Sequence, residues 1–243
     1  MPEMPVVVAG VDGCRAGWIA VLRTIRDKPE AEVRVVEHIA ELIANPQVAV
    51  LAVDMPIGLP EFASRGGRGP ERAVRPLLGE RQSSVFSVPS RAAVYCEDYR
   101  LACTTALHTS EPPRKVSKQA FHLFPRIREI DRLMSPELEG KVYEVHPEIA
   151  YWRLNGERPM SLPKKVQNRP NGPGLDERRD LLVGRWFDSA FFDQPPPKGA
   201  DRDDLIDAAA CSVIAERIFA GNARPFPADF QRDARGLRMA IWA

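Results

Sequence analysis

Cysteine is scarce in this chain, and what there is lies scattered. Cys14, Cys96, Cys103 and Cys211 form no CxxC pair, and with four histidines they make no Cys/His zinc spacing. That excludes a disulfide framework or a structural zinc as the organising device. The thiols are expected to stay free in a reducing compartment. Long apolar runs are missing as well: no stretch approaches the roughly 20 residues of a membrane span. The N-terminal MPEMP lacks the basic-then-apolar layout of a secretory leader. No membrane partner is therefore expected, and the expected location is cytoplasmic. Nor is there an excess of charge, since 34 Lys and Arg face 33 Asp and Glu for a net charge of +1. This removes the global basic signature of many nucleic-acid binders but not a locally segregated one. Internal repeats and low-complexity segments are lacking too.

What remains is an ordinary globular composition, 44% hydrophobic and 28% charged over 243 residues, enough for one large domain. Its 23 prolines favour long ordered loops.

The most informative stretch is PVVVAGVDGCRAGWIAVL, Pro5 to Leu22. Two apolar, β-branched runs flank a five-residue link from Gly13 to Gly17, which predicts a β-hairpin. Asp12 then closes a buried first strand, where an unpartnered polar group costs roughly 2–7 kcal/mol. It reads equally as a turn cap and as a metal ligand. EVRVVE (32–37) predicts a third strand, and HIAELIA (38–44) a helix that stops before Asn45-Pro46. VAVLAV (48–53) is a continuous apolar run, as in a central strand covered on both faces. It ends at Asp54, and Pro56 stops the ladder. A helix between the third and fourth strands makes the fourth parallel to the first. Asp12 and Asp54 would then sit side by side at the end where open α/β sheets bind ligands.

Residues 65–91 carry Arg65, Arg68, Arg72, Arg75, Arg81 and Arg91 against Glu71 and Glu80. With Ser83 and Ser84 they predict an anion-binding flap, because guanidinium forks and hydroxyls suit phosphate oxygens. A short helix is expected over 72–78. Helices are also expected over 99–107 and 117–134, the second bearing Lys118 and Gln119. KVYEV (141–145) predicts a fifth strand with Glu144 near its end, while His146 reads as a helix-entry or packing histidine. Residues 155–180 read as loop-rich, Pro195 to Pro197 as a rigid break, and 221–243 as irregular. The last long helix is expected over 201–220, with Asp201 as N-cap. Asp204, Asp207, Cys211, Ile214, Ala215 and Ile218 share one face, which puts Asp207 at the top of a sheet-packing stripe.

In this order GVDGCRAGW, VDMPIGLP, GERQSSVFSVPSR, SKQ, EVHPE and DDLIDA resemble a prokaryotic domain-of-unknown-function family of predicted nucleases with a ribonuclease H-like fold. The likeness runs from Val6 to about Gly221. It implies a mixed five-stranded α/β sheet flanked by helices in a single domain, 1–243. The core would lie at about 5–60, 140–150 and 200–221, with insertions at 61–140 and 151–199. Holliday-junction resolvases of that superfamily carry carboxylates on strands one and four and an Asp-x-x-Asp pair on the last helix; Asp12, Asp54, Asp204 and Asp207 match those positions.

The resemblance implies a metal-dependent nuclease with DNA or RNA as substrate. Two Mg²⁺ or Mn²⁺ ions would be bound by Asp12, Asp54, Asp204 and Asp207. Glu144 becomes an additional ligand or water orienter. Arg81, Ser83, Ser84, Arg91, Lys118 and Gln119 become phosphate contacts. Two other readings stay open. One is an actin-like phosphotransferase or ATPase, against which stands the lack of a second Gly-x-Asp-Gly hairpin. The other is a non-catalytic nucleic-acid-binding protein. The oligomeric state is open, a homodimer included.

Overall fold

The computed structural model describes residues 5–26, 30–167 and 169–243. The leader reading rests on residues 1–4 and lies outside the described residues. Five strands form the main sheet: β1 (Val7–Cys14), β2 (Gly17–Thr24), β3 (Glu30–Val36), β4 (Val48–Val53) and β5 (Val142–Glu144). Their order is β3-β2-β1-β4-β5. The first three make an antiparallel meander, while β4 runs parallel to β1, and β5 parallel to β4. The helices that matter for the site are α1 (Ala40–Ala44), α2 (Gly69–Val74), α3 (Tyr99–His108), α4 (Lys118–Leu133), α5 (Pro147–Leu154), α6 (Gly172–Leu182) and α7 (Arg202–Phe219). The crossover through α1 carries the chain back to the starting end of the sheet, so β4 runs in the same direction as β3 and β1, as a parallel neighbour requires. The result is a mixed five-stranded sheet flanked by helices, consistent with an open α/β ribonuclease H-like fold. Among the described residues no helix is long and apolar enough to cross a membrane.

Strand alternation sorts the core into two faces. Ala9, Val11, Trp18, Ala20, Leu51 and Val53 join Phe124, Ile127 and Ile130 of α4 on one side. Val8, Ile19, Val21, Val50 and Ala52 join α7 on the other. The last helix is buried more completely than a stripe predicts, with every residue from Leu205 to Ala215 buried. It lies between the sheet and the pair α5 and α6, so it has no solvent face along this length. Small residues allow the close fit. A Cβ on Gly10 of β1 would stand 2.0 Å from the Ser212 amide nitrogen and 2.2 Å from the Ala208 carbonyl oxygen. Any side chain there would push α7 off the sheet.

Three local expectations change. The hairpin link is shorter than five residues: Gly13 pairs with Trp18 and Cys14 with Gly17, so only Arg15 and Ala16 form the turn. Gly17 supplies the positive φ, +125°. Residues 155–180 are not merely loop, since they hold most of α6, whose Leu175, Arg178 and Leu182 are buried at helical spacing. Its opening Gly172-Pro173-Gly174 imitates a turn and hides the start. The tail is tied down as well: Pro225–Phe226 pairs with Ile241–Trp242, and Asp233 accepts from the Leu59 amide at 3.0 Å.

Candidate functional site: an acidic floor beside an arginine clamp

Parallel pairing sets Val11 opposite Val53, and the Asp54 amide donates to the Val11 carbonyl at 2.9 Å. Asp12 continues the series Val8, Gly10, and Asp54 the series Val50, Ala52. Both carboxylates therefore follow the face that α7 covers. On α7, Asp204 Oδ2 accepts from the Asp201 amide at 2.9 Å, closing a capping box at the helix start. Asp207, one turn on, is 2% exposed. Its Oδ1 accepts from the Tyr151 hydroxyl at 2.7 Å, and its Oδ2 pairs with Lys164 Nζ. Asp12 Oδ1 accepts from the Gly13 amide at 2.7 Å. The Asp54 carboxylate has no donor among the described residues.

These groups disturb one another's ionisation. Burial, then Asp54 and Asp207, push Asp12 well above the usual carboxylate range. Burial, then Asp207, push Asp54 to about 8. Lys164 pulls both back without offsetting the rest. For Lys164 itself burial opposes the charge, but Asp207, Glu148 and Asp12 outweigh burial and raise its pKa. Asp204, at the helix mouth, is raised by burial to about 6. The floor thus gathers more carboxyl groups than its one ammonium can balance, and the excess is held toward the protonated form.

Beside it stands a different assembly. The Arg68 guanidinium, fully buried, donates to Glu71 Oε1 at 2.7 Å and Glu144 Oε1 at 2.5 Å, and to the Ile57 and Gly58 carbonyls at 2.8 Å each. Glu144 Oε2 also accepts from the Ile57 amide at 2.8 Å. Burial pushes Glu144 to about 7 against the pull of Arg68. Glu144 is therefore taken up by the clamp. Its visible work is to fasten the loop that follows Asp54 to the end of β5.

A cavity of about 220 Å³ opens over both assemblies, lined by Asp12, Asp54, Ser83, Ser84, Gln119 and His146 among others. His146 caps α5, its Nδ1 accepting from the Glu148 amide at 3.2 Å, and its Nε2 lies 3.4 Å from the Ser84 carbonyl. Burial, then Lys164, lower its pKa to about 4, so the ring is neutral at physiological pH. The Arg75–Ser84 segment, a kinked 3₁₀ stretch, forms one wall.

The expected phosphate contacts divide. Ser83, Ser84 and Gln119 line the cavity. Arg81 lies next to them in sequence and pairs with Glu80 at 3.2 Å. Lys118 is exposed at the start of α4. Arg91 is elsewhere, bonded to Asp131 at 2.5 Å and to Asp233 of the tail. Two of the six arginines grip the segment's own backbone: Arg72 donates to the Gly67 carbonyl, and Arg75 to the Val85 carbonyl at 3.0 Å.

Lys164, Tyr151 and the clamp role of Arg68 are the parts that sequence reading missed. Among the described residues no group of three or more His, Cys, Asp or Glu side chains is arranged to hold a metal ion. Asp207 faces Lys164 and Tyr151, and Asp204 faces its own helix cap.

Residues 10–232 match the model of the family described as "Protein of unknown function (DUF429)". No curated protein and no solved structure matches the chain.

Proposed function

This chain belongs to the DUF429 family, and from its site we propose that it is a metal-dependent nuclease acting on phosphodiester bonds. One observation carries the reading: two adjacent half-buried carboxylates, Asp12 and Asp54, stand at strand ends with oxygens left unpartnered and with pKa values raised by burial and by neighbouring carboxylates. Such a pair is under-neutralised, and its donors are hard oxygens, which fits Mg²⁺ or Mn²⁺. Lys164, already drawn into this floor, marks it as a place that attracts positive charge. A bound divalent ion would supply Lewis-acid polarisation of the phosphoryl oxygen and a more acidic water.

The chain's own residues do the rest. Asp12 and Asp54 hold the cation, with Asp204 and Asp207 extending the acidic field along α7. Glu144, through Arg68, fixes the Asp54–Gly58 loop so that the Asp54 carboxylate keeps its aim. Ser83, Ser84 and Gln119 offer hydroxyl and amide donors to phosphate oxygens, and Arg81 and Lys118, close to them in sequence, would add positive charge. Neutral His146 keeps the Ser84 carbonyl in place.

The test is a cleavage assay on single-stranded DNA, RNA, duplex and junction substrates with Mn²⁺, Mg²⁺, Ca²⁺ or EDTA. Cleavage is expected with Mn²⁺ and Mg²⁺, with little in Ca²⁺, whose longer bonds and looser geometry suit this chemistry poorly. Cleavage that persists in EDTA overturns the proposal. ATP hydrolysis with no cut polynucleotide would assign the same carboxylates to a phosphotransferase.

A further inference from the structure

Lys164 lies in a stretch that looks like loop, yet it is held as firmly as a core residue. Its carbonyl accepts from the Asn171 amide at 2.7 Å, and the Pro163 carbonyl accepts from Asn171 Nδ2 at 2.8 Å. The Leu162 carbonyl accepts from Arg178 Nη1 at 2.9 Å. Arg178 is fully buried and forks onto Glu148 at 2.7 and 3.0 Å. Glu177 receives the Ser161 and Leu162 amides at 2.8 and 2.9 Å. Asn171, which precedes α6, and the α6 side chains Glu177 and Arg178 thus grip residues 161–164 in succession, while Glu148 of α5 holds Arg178 in place. Such a fixed backbone delivers the long lysine side chain to one place with less rotamer entropy left to lose. That place is Asp207 Oδ2, at the back of the acidic floor.

The carboxylates left over decide what this can mean. Both Asp207 oxygens are engaged, one by Tyr151 and one by Lys164. One Asp204 oxygen closes the helix cap. Glu144 is bound to Arg68. Among the described residues, Asp12 and Asp54 at the strand ends keep oxygens without a donor, and Asp204 keeps one at the helix mouth. The two-ion arrangement implied by the family resemblance needs Asp204 and Asp207 for its second ion, and here both oxygens of Asp207 are committed.

We propose that Lys164 occupies the place of the second cation, so that the site takes one divalent ion on Asp12 and Asp54 while the Lys164 ammonium neutralises Asp207. This rests on the metal reading above. It makes Lys164 a positioning and charge-balancing residue of the site, the same role a second metal plays without the need to bind one.

The experiment counts Mn²⁺ on the full chain by calorimetry and electron paramagnetic resonance, comparing wild type, Lys164→Met and Lys164→Arg, with thermal melts to confirm folding. Wild type and Lys164→Arg should each bind one ion. Lys164→Met, which keeps an apolar stem and removes the charge, should bind two, the first about tenfold more tightly because a nearby like charge is gone. Two ions on wild type, or an unchanged count and affinity in Lys164→Met, would overturn the assignment while leaving the metal reading in place. No Mn²⁺ on wild type removes both. If Lys164→Met fails to fold, the counts on wild type and Lys164→Arg decide: one ion on each supports the assignment, and two on either sinks it.

Discussion

The same end of the sheet carries two buried acidic assemblies, and they are built on opposite terms. In the clamp, Glu71 and Glu144 share the Arg68 guanidinium, and all four carboxylate oxygens have donors. On the floor, Asp12, Asp54 and Asp207 share one lysine, and Asp54 has no donor among the described residues. A closed set of partners gives rigidity and leaves nothing for a ligand. An open set stores unfavourable charge that a ligand can relieve. The contrast separates acids that build the fold from acids that offer a function, which acidity or burial alone does not do.

The largest effect should come from opening the clamp. Arg68→Met leaves two buried carboxylates facing each other, which costs about 3–5 kcal/mol. At roughly 2–4 °C per kcal/mol for a chain of this size, the melting temperature should fall by on the order of 10 °C. A loss within the range of exposed substitutions would show that the clamp is not closed as described.

A smaller effect of opposite sign is expected on the floor. Asp54 titrates near 8 in the folded chain against an ordinary 3.8. Between those values the folded state keeps a proton that the unfolded state has lost, so metal-free stability falls as pH rises through that window. His146, lowered from 6.5 to about 4 by burial, acts the other way. Its contribution is complete above about 6.5 and is lost as pH falls toward 4. Between about pH 4 and 6.5 the two slopes offset each other, and Asp12, Asp204 and Glu144 are raised in the same sense as Asp54, so melting curves of the metal-free protein should decline as pH rises to 8. Asp54→Asn should flatten the alkaline decline and melt higher than wild type at pH 8, by a few degrees, while abolishing cleavage. A variant less stable than wild type at pH 8 would put Asp54 with the clamp rather than the floor.

The smallest expected effect belongs to the cavity wall. Gln119→Ala removes one neutral hydrogen-bond donor, about 0.5–1.5 kcal/mol, so oligonucleotide affinity should drop only a few-fold in a fluorescence titration, with stability unchanged. Arg91→Ala, by contrast, should alter stability and not affinity, because Arg91 joins α4 to the tail.

Much of this was legible in the residues. The apolar runs at 6–11, 18–22 and 48–53 placed the central strands, and abrupt endings at Asp12 and Asp54 marked the strand ends that matter. Asp204 and Asp207 were visible as a helical pair above a packing face. The clamp was not, because Arg68 is one of six arginines with no local sign that its partner, Glu144, lies 76 positions away. Lys164 was invisible for a related reason. Its position depends on α6, and α6 begins with Gly172-Pro173-Gly174, which local rules read as turn. The two commitments of Asp207, to Tyr151 and Lys164, arise only when α5 and the 161–164 stretch meet over α7. Local pattern reveals where a carboxylate stands, whereas its spare valence depends on contacts far along the chain.

The central claim is that the Asp12–Asp54 pair is the unbalanced one and draws a divalent cation. Calorimetric titration of Mn²⁺ at pH 8 into wild type, Asp12→Asn and Glu71→Gln tests it most directly. Binding should survive in Glu71→Gln, a change confined to the clamp, and be lost in Asp12→Asn. Equal Mn²⁺ affinity in wild type and Asp12→Asn would contradict the account.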